Sequence, residues 1–101
     1  MEVQHRYTLI KNECVHLECE YTDYKAVFIH AQIYVWSAKA LKEYKKWFDS
    51  VLKTFCENGI KQVFVMVDPT NTKLYKFAKI FGFKYLSVEH GKIFLVKEIG
   101  E

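Results

Sequence analysis

The chain has 101 residues and a mass of 12.0 kDa; half the residues are hydrophobic, 17% are aromatic, and the formal net charge is +3. This composition excludes a disordered chain, and one proline with four glycines excludes a flexible linker. No apolar run approaches the roughly 20 residues that span a bilayer, and the opening MEVQHRYTLIKNE is too polar for a secretory signal. The expectation is one soluble, intracellular domain over residues 1–101.

Fourteen of the basic residues are lysines and only Arg6 is an arginine. Arginine supplies the planar fork that reads guanine edges and grips phosphates, so the balance argues against a nucleic-acid partner. The three cysteines, Cys14, Cys19 and Cys56, are an odd number and fit a reducing compartment better than a disulfide framework. Cys14, His16 and Cys19 stand close together, but the spacing is not a zinc pattern. In a strand Cys19 points away from Cys14 and His16, so no metal site is expected.

The first third predicts strands. Residues 3–10 mix β-branched, aromatic and polar residues in near alternation. Residues 13–21 alternate again, with Val15, Leu17, Cys19 and Tyr21 on one side. A polar turn over residues 22–25 leads to a long strand over residues 26–36. Val27, Ile29, Ala31, Ile33 and Val35 form one face; Phe28, His30, Gln32, Tyr34 and Trp36 form the other. The apolar content of both predicts partial cover on each.

The period then changes. Leu41, Tyr44, Phe48, Val51, Leu52 and Phe55 recur at helical spacing, with Ser37 as N-cap and Gly59 as the residue past the end. The helix is expected over residues 38–58, with a lysine-rich face of Lys39, Lys42, Lys45, Lys46 and Lys53 that reads as solvated. The run QVFVMV, residues 62–67, predicts a buried strand parallel to the one before the helix. Leu74, Phe77, Ala78 and Phe81 mark a shorter helix that Gly82 stops. Residues 83–88 and 92–96 then predict a hairpin across Glu89, His90 and Gly91. The order is β-β-β-α-β-α-β-β. The fold class is α/β (α+β), with a mixed, mostly antiparallel sheet and a parallel pair flanking the long helix.

This order resembles the core of the GNAT superfamily of N-acetyltransferases without its first strand and first two helices. The segment from Val63 to Asn71, followed by Gly82 and Phe83, carries the residue-level likeness. An apolar strand ends four residues before an asparagine, a helix follows, and a glycine-phenylalanine pair opens the next strand. Val67, Asn71, Leu74, Phe77, Gly82 and Phe83 fall on the matching positions. The topological likeness covers most of the chain, the residue match about residues 63–85.

The resemblance implies acetyl-CoA as cofactor, its pyrophosphate on a glycine-rich loop between the long strand and the long helix. Here that stretch, residues 35–41, has no glycine, and the strand is expected to enter the helix with almost no loop. Ser37, Ala38 and Lys39 are the cofactor-binding candidates, together with Asn71, while Trp36 would crowd a nucleotide. Many members carry a general-acid tyrosine seven residues after the asparagine. Ala78 stands there, and Tyr75, one turn earlier, is the substitute candidate. Glu13, Glu18, Glu20 and His30 are the possible bases on the early strands, with His30 the catalytic candidate.

The absent helices leave a sheet face to be covered by a partner. Trp36, Trp47 and Tyr34, with Tyr21 and Tyr24, are the aromatic candidates for such an interface. Two readings follow. The first is a minimal GNAT-like domain without acetyl-CoA chemistry that binds a protein or forms a homo-oligomer. It resembles small phage-encoded GNAT-like proteins, which implies a host cytoplasm or a virion. The alternative is an acyl-CoA-dependent N-acetyltransferase with a divergent pyrophosphate loop, which a cleft between the strands ending near Val35 and Val67 would support.

Overall fold

The computed structural model describes residues 3–22 and 25–99, with side chains over residues 7–22 and 25–99. The alternating segments form strands β1 (Val3–Lys11), β2 (Val15–Thr22) and β3 (Ala26–Ile33). The helical stripe forms α1 (Ala38–Glu57), followed by β4 (Gln62–Val67), α2 (Thr72–Ile80), β5 (Lys84–Glu89) and β6 (Lys92–Glu98). The six strands make one sheet in the order β1-β2-β3-β4-β6-β5. Only β3 and β4 are parallel; every other neighbour pair is antiparallel. The element order is the one the sequence predicts.

Both helices are defined at their ends by side chains and glycines. Ser37 is extended, at φ −69° and ψ 155°, and its Oγ accepts from the Ala40 N–H at 3.1 Å. Asn71 does the same for α2, its Oδ1 accepting from the Leu74 N–H at 3.2 Å. Each satisfies a first-turn donor that the helix cannot. At the other end, Gly59 at φ 83° lets its N–H reach the Cys56 carbonyl and the Ile60 N–H reach that of Phe55. Gly82, at φ 91°, repeats the arrangement, with Gly82 N–H to Lys79 and Phe83 N–H to Ala78. This is the paired helix stop that a left-handed residue allows, and the residue after the glycine is apolar and buried in both cases. The glycine-phenylalanine pair of the sequence is therefore a helix terminus.

Both helices lie on the same side of the sheet. Leu52 and Phe55 of α1 and Leu74 and Ala78 of α2 join one buried cluster. With them are Val15, Leu17 and Cys19 of β2, Val27 and Ile29 of β3, Val63, Val65 and Val67 of β4, and Leu95 of β6. Burying each large side chain is worth about 1.5–3 kcal/mol, so this face dominates stability. The two helices also touch through rings: Phe48 meets Phe81 at 4.9 Å, and Tyr44 meets Phe77 at 6.4 Å.

Two expectations change. The third strand ends at Ile33, not Trp36, and residues 34–37 form a linker before α1. The reason is a backbone turn-off: the N–H groups of Tyr34 and Val35 both converge on the Cys14 carbonyl, ending the regular ladder. Second, only one sheet face carries helices, because both crossovers pack on the same side. The opposite face has no helix among the described residues. No described helix is long and apolar enough to cross a membrane.

Candidate functional site

The site begins with a fork in the sheet. The β3–β4 ladder runs from Ala26 and Gln62 to Ile29 and Val65 and then stops. Beyond it β3 stays with β2, pairing Ile33 with Val15, while β4 stays with β6, pairing Val67 with Ile93. Each half keeps its own ladder beyond that point, β3 with β2 and β4 with β6. A cleft between strand ends is what would support the second reading; it lies between β3, ending at Ile33 rather than Val35, and β4, ending at Val67.

On the helix side the fork is filled. Trp36, from the linker, meets Phe77 of α2 edge to face with centroids 5.8 Å apart. Tyr44 lies against the same ring, and its hydroxyl donates to the Val35 carbonyl at 3.1 Å, fixing the linker to α1. Burial pushes the Tyr44 phenol up from its ordinary pKa. What is left is an apolar cavity of about 40 Å³, lined by Ile29, Ile33, Val65, Tyr44, Phe77 and Phe81 among others.

On the helix-free side the fork opens into a depression of about 400 Å³ lined by His16, Glu18, His30, Ala31, Gln32 and Met66. His30 is the first residue of β3 beyond the ladder, directly opposite Glu18 on β2. Its buried Nε2 meets a Glu20 carboxylate oxygen. His16 Nε2 and Glu18 Oε2 are 3.2 Å apart. Next to this polar cluster stands an aromatic one. Phe28 stacks on Phe64 at 5.1 Å and meets Phe94 edge-on at 6.4 Å. Together these residues give a half-buried apolar centre with ionisable groups beside it. No group of His, Cys, Asp and Glu among the described residues is arranged to hold a metal ion.

The candidates from the sequence separate. His30 sits at the fork. Tyr75 is half-buried against the core and does not line either opening. Asn71 is occupied as the α2 cap, and Ser37 as the α1 cap. Ala38 and Lys39 are exposed in the first turn of α1, where N–H groups point out of the helix. Trp36 and Trp47 are half-buried against the core, Trp47 beside Ile10 and Tyr44. Tyr34 is 57% exposed, and its hydroxyl donates to Gln32 Oε1 at 2.9 Å. Tyr21 packs between Tyr7 and Phe55, and Tyr24 lies outside the described residues. The sequence reading missed the Phe28–Phe64–Phe94 cluster. Its signal was a phenylalanine at an outward position on each of three strands, but the pairing that joins them is nonlocal.

A coenzyme A site does not fit these residues as they stand. The linker has no glycine to let backbone N–H groups close on a pyrophosphate, and its Trp36 packs against Phe77 of α2. The helix-side cavity of about 40 Å³ is far below the roughly 300–1,000 Å³ usual for a small-molecule or cofactor pocket, a range that only the depression on the helix-free side of the fork reaches.

No family model matches the sequence, and no curated protein matches it. Solved structures do. A probable acetyltransferase from Staphylococcus epidermidis superposes with a TM-score of 0.66 at 11% identity, over 84% of this chain and 60% of that one. The PaiA N-acetyltransferase of Thermoplasma acidophilum, in complex with coenzyme A, gives 0.71 at 17%, over 84% of this chain and 53% of that one. The ribosomal-protein-S18-alanine N-acetyltransferase of Escherichia coli gives 0.70 at 10%, over 97% of this chain and 73% of that one. The match spans little more than half the length of the first two. At such identities the likeness is one of fold, and the fold is GNAT-like.

Proposed function

We propose that this chain is a GNAT-like binding module that docks a protein partner on its helix-free sheet face and does not transfer acetyl groups. The observation that carries this reading is the contact of Trp36 with Phe77, which fills the helix side of the fork with the protein's own side chains. The opposite face has the anatomy of an interface: an aromatic centre of Phe28, Phe64 and Phe94 with Glu18, Glu20 and Glu98 around it. The partner it suits presents apolar side chains to this aromatic centre.

Thermal unfolding with millimolar acetyl-CoA or CoA tests the first half. A ligand at a hundred times its Kd stabilises by about 2.7 kcal/mol, a shift of many degrees in a domain of this size. No shift is expected, and a clear one overturns the reading. For the second half, Phe64→Lys should abolish binding to a partner held by the wild type while Lys53→Ala leaves it intact.

One observation favours acyl transfer instead. His30, braced by Glu20, opens onto the fork where an amine would lose its proton. A CoA-dependent shift together with loss of acetyl transfer in His30→Ala would establish that second reading.

A further inference from the structure

We infer that β5 pairs antiparallel with β5 of a second copy of this chain, joining two six-stranded sheets edge to edge. This inference concerns a different surface from the helix-free face and stands whether or not the chain binds CoA.

Strand β5 closes one end of the sheet, so among the described residues no strand lies beside its outer backbone groups. An exposed apolar edge strand is a template for pairing. Three of the six large hydrophobic residues exposed among those described lie on this strand: Tyr85 at 54%, Leu86 at 50% and Val88 at 54%.

The occupant is read from the charges and the register. Along β5 a lysine, Lys84, opens the strand and a glutamate, Glu89, closes it. Antiparallel pairing about a two-fold axis normal to the sheet sets Lys84 opposite the partner's Glu89, twice. The same offset sets Tyr85 opposite the partner's Val88, an aromatic with a β-branched residue.

Such a pairing requires matched residues to share a face, and the bulge supplies this. The register shifts between Tyr85 and Ser87, so Tyr85 lies opposite Leu95 and Val88 opposite Ile93, both on the helix face. Lys84, Ser87 and Glu89 lie opposite Val96, Phe94 and Lys92, all on the other face. In a regular strand, Tyr85 and Val88 would point to opposite sides. Lys92 does not neutralise Glu89, because its Nζ is held by Asp68 Oδ2 at 2.9 Å; Glu89 accepts instead from the Ser87 hydroxyl at 3.0 Å. The pairing is isologous and closes at two copies, whereas pairing β5 with β1 of another copy would run on as a filament.

The test is the mass of the full chain by sedimentation equilibrium from micromolar to millimolar concentration. The expected result is a concentration-dependent rise from 12.0 kDa to twice that mass. Lys84→Glu and Glu89→Lys, each placing like charges opposite twice, should weaken the dimer by about tenfold or more. The double variant Lys84→Glu/Glu89→Lys should restore it. Circular dichroism checks that every variant folds. A monomer at all concentrations overturns the inference. So does dimerisation of the single variants at wild-type strength, or failure of the folded double variant to recover.

Discussion

Trp36 and Phe77 meet at 90°, centroid to centroid 5.8 Å, across the gap between the linker and α2. One residue comes from the linker after β3 and the other from a helix that starts after the next strand. Their contact closes the fork that the backbone of β3 and β4 opens.

Trp36→Ala should remove this closure. A fully buried tryptophan lost to alanine costs about 3–5 kcal/mol, and Trp36 is only half-buried, so about 1–3 kcal/mol is expected. Urea unfolding measures it. A loss below ~0.5 kcal/mol would show that the ring does not seal the fork.

Asn71 serves the helix, so Asn71→Ala should cost about 1 kcal/mol, and Asn71→Asp should cost almost nothing because aspartate caps equally well. Equal destabilisation by both variants would contradict capping as its role.

Asp68 joins the turn after β4 to the start of β6. Its carboxylate accepts from the Thr70 N–H at 3.0 Å, the Thr70 hydroxyl at 2.7 Å and Lys92 Nζ at 2.9 Å. These bonds, the Thr70 N–H foremost, hold its pKa well below the usual carboxylate range. A lowered folded-state pKa stabilises above the unfolded value, about 3.9, and that stability fades as pH falls toward the folded value. Wild type should therefore exceed Asp68→Asn in urea midpoint at pH 7, with the gap shrinking steadily below about pH 4. A gap that stays constant with pH would refute this assignment.

The three thiols should react in order of access. Cys56 is exposed and Cys14 partly so, whereas Cys19 is 1% exposed and burial pushes its thiol pKa up, against a smaller opposing backbone hydrogen bond involving Tyr7. A disulfide reagent at pH 8 should label Cys56 fastest and Cys19 only on unfolding. Rapid labelling of Cys19 in the folded protein would mean that the β2 face opens far more readily than its packing implies.

Local chemistry was legible wherever it acts within a few residues. Ser37 read as a cap because a short oxygen-bearing side chain before an apolar periodic stretch has few other uses. Gly59 and Gly82 read as stops for the complementary reason, and the hairpin turn at His90 and Gly91 indeed has both φ values positive, 54° and 76°. The end of β3 was misplaced because Val35 continues the alternation of Ile33. What ends the strand there is the Cys14 carbonyl, contributed by a distant segment.

The eight elements, their order, the Ser37 cap and the glycine stops were all written in local residue patterns, because periodicity and termini are properties of neighbouring residues. Long-range packing set the rest: that both helices take the same face, that the sheet divides after Ile29 and Val65, and that Trp36 reaches Phe77. Those outcomes depend on which strands pair and on which side each crossover returns, and residues far apart in the chain settle both together.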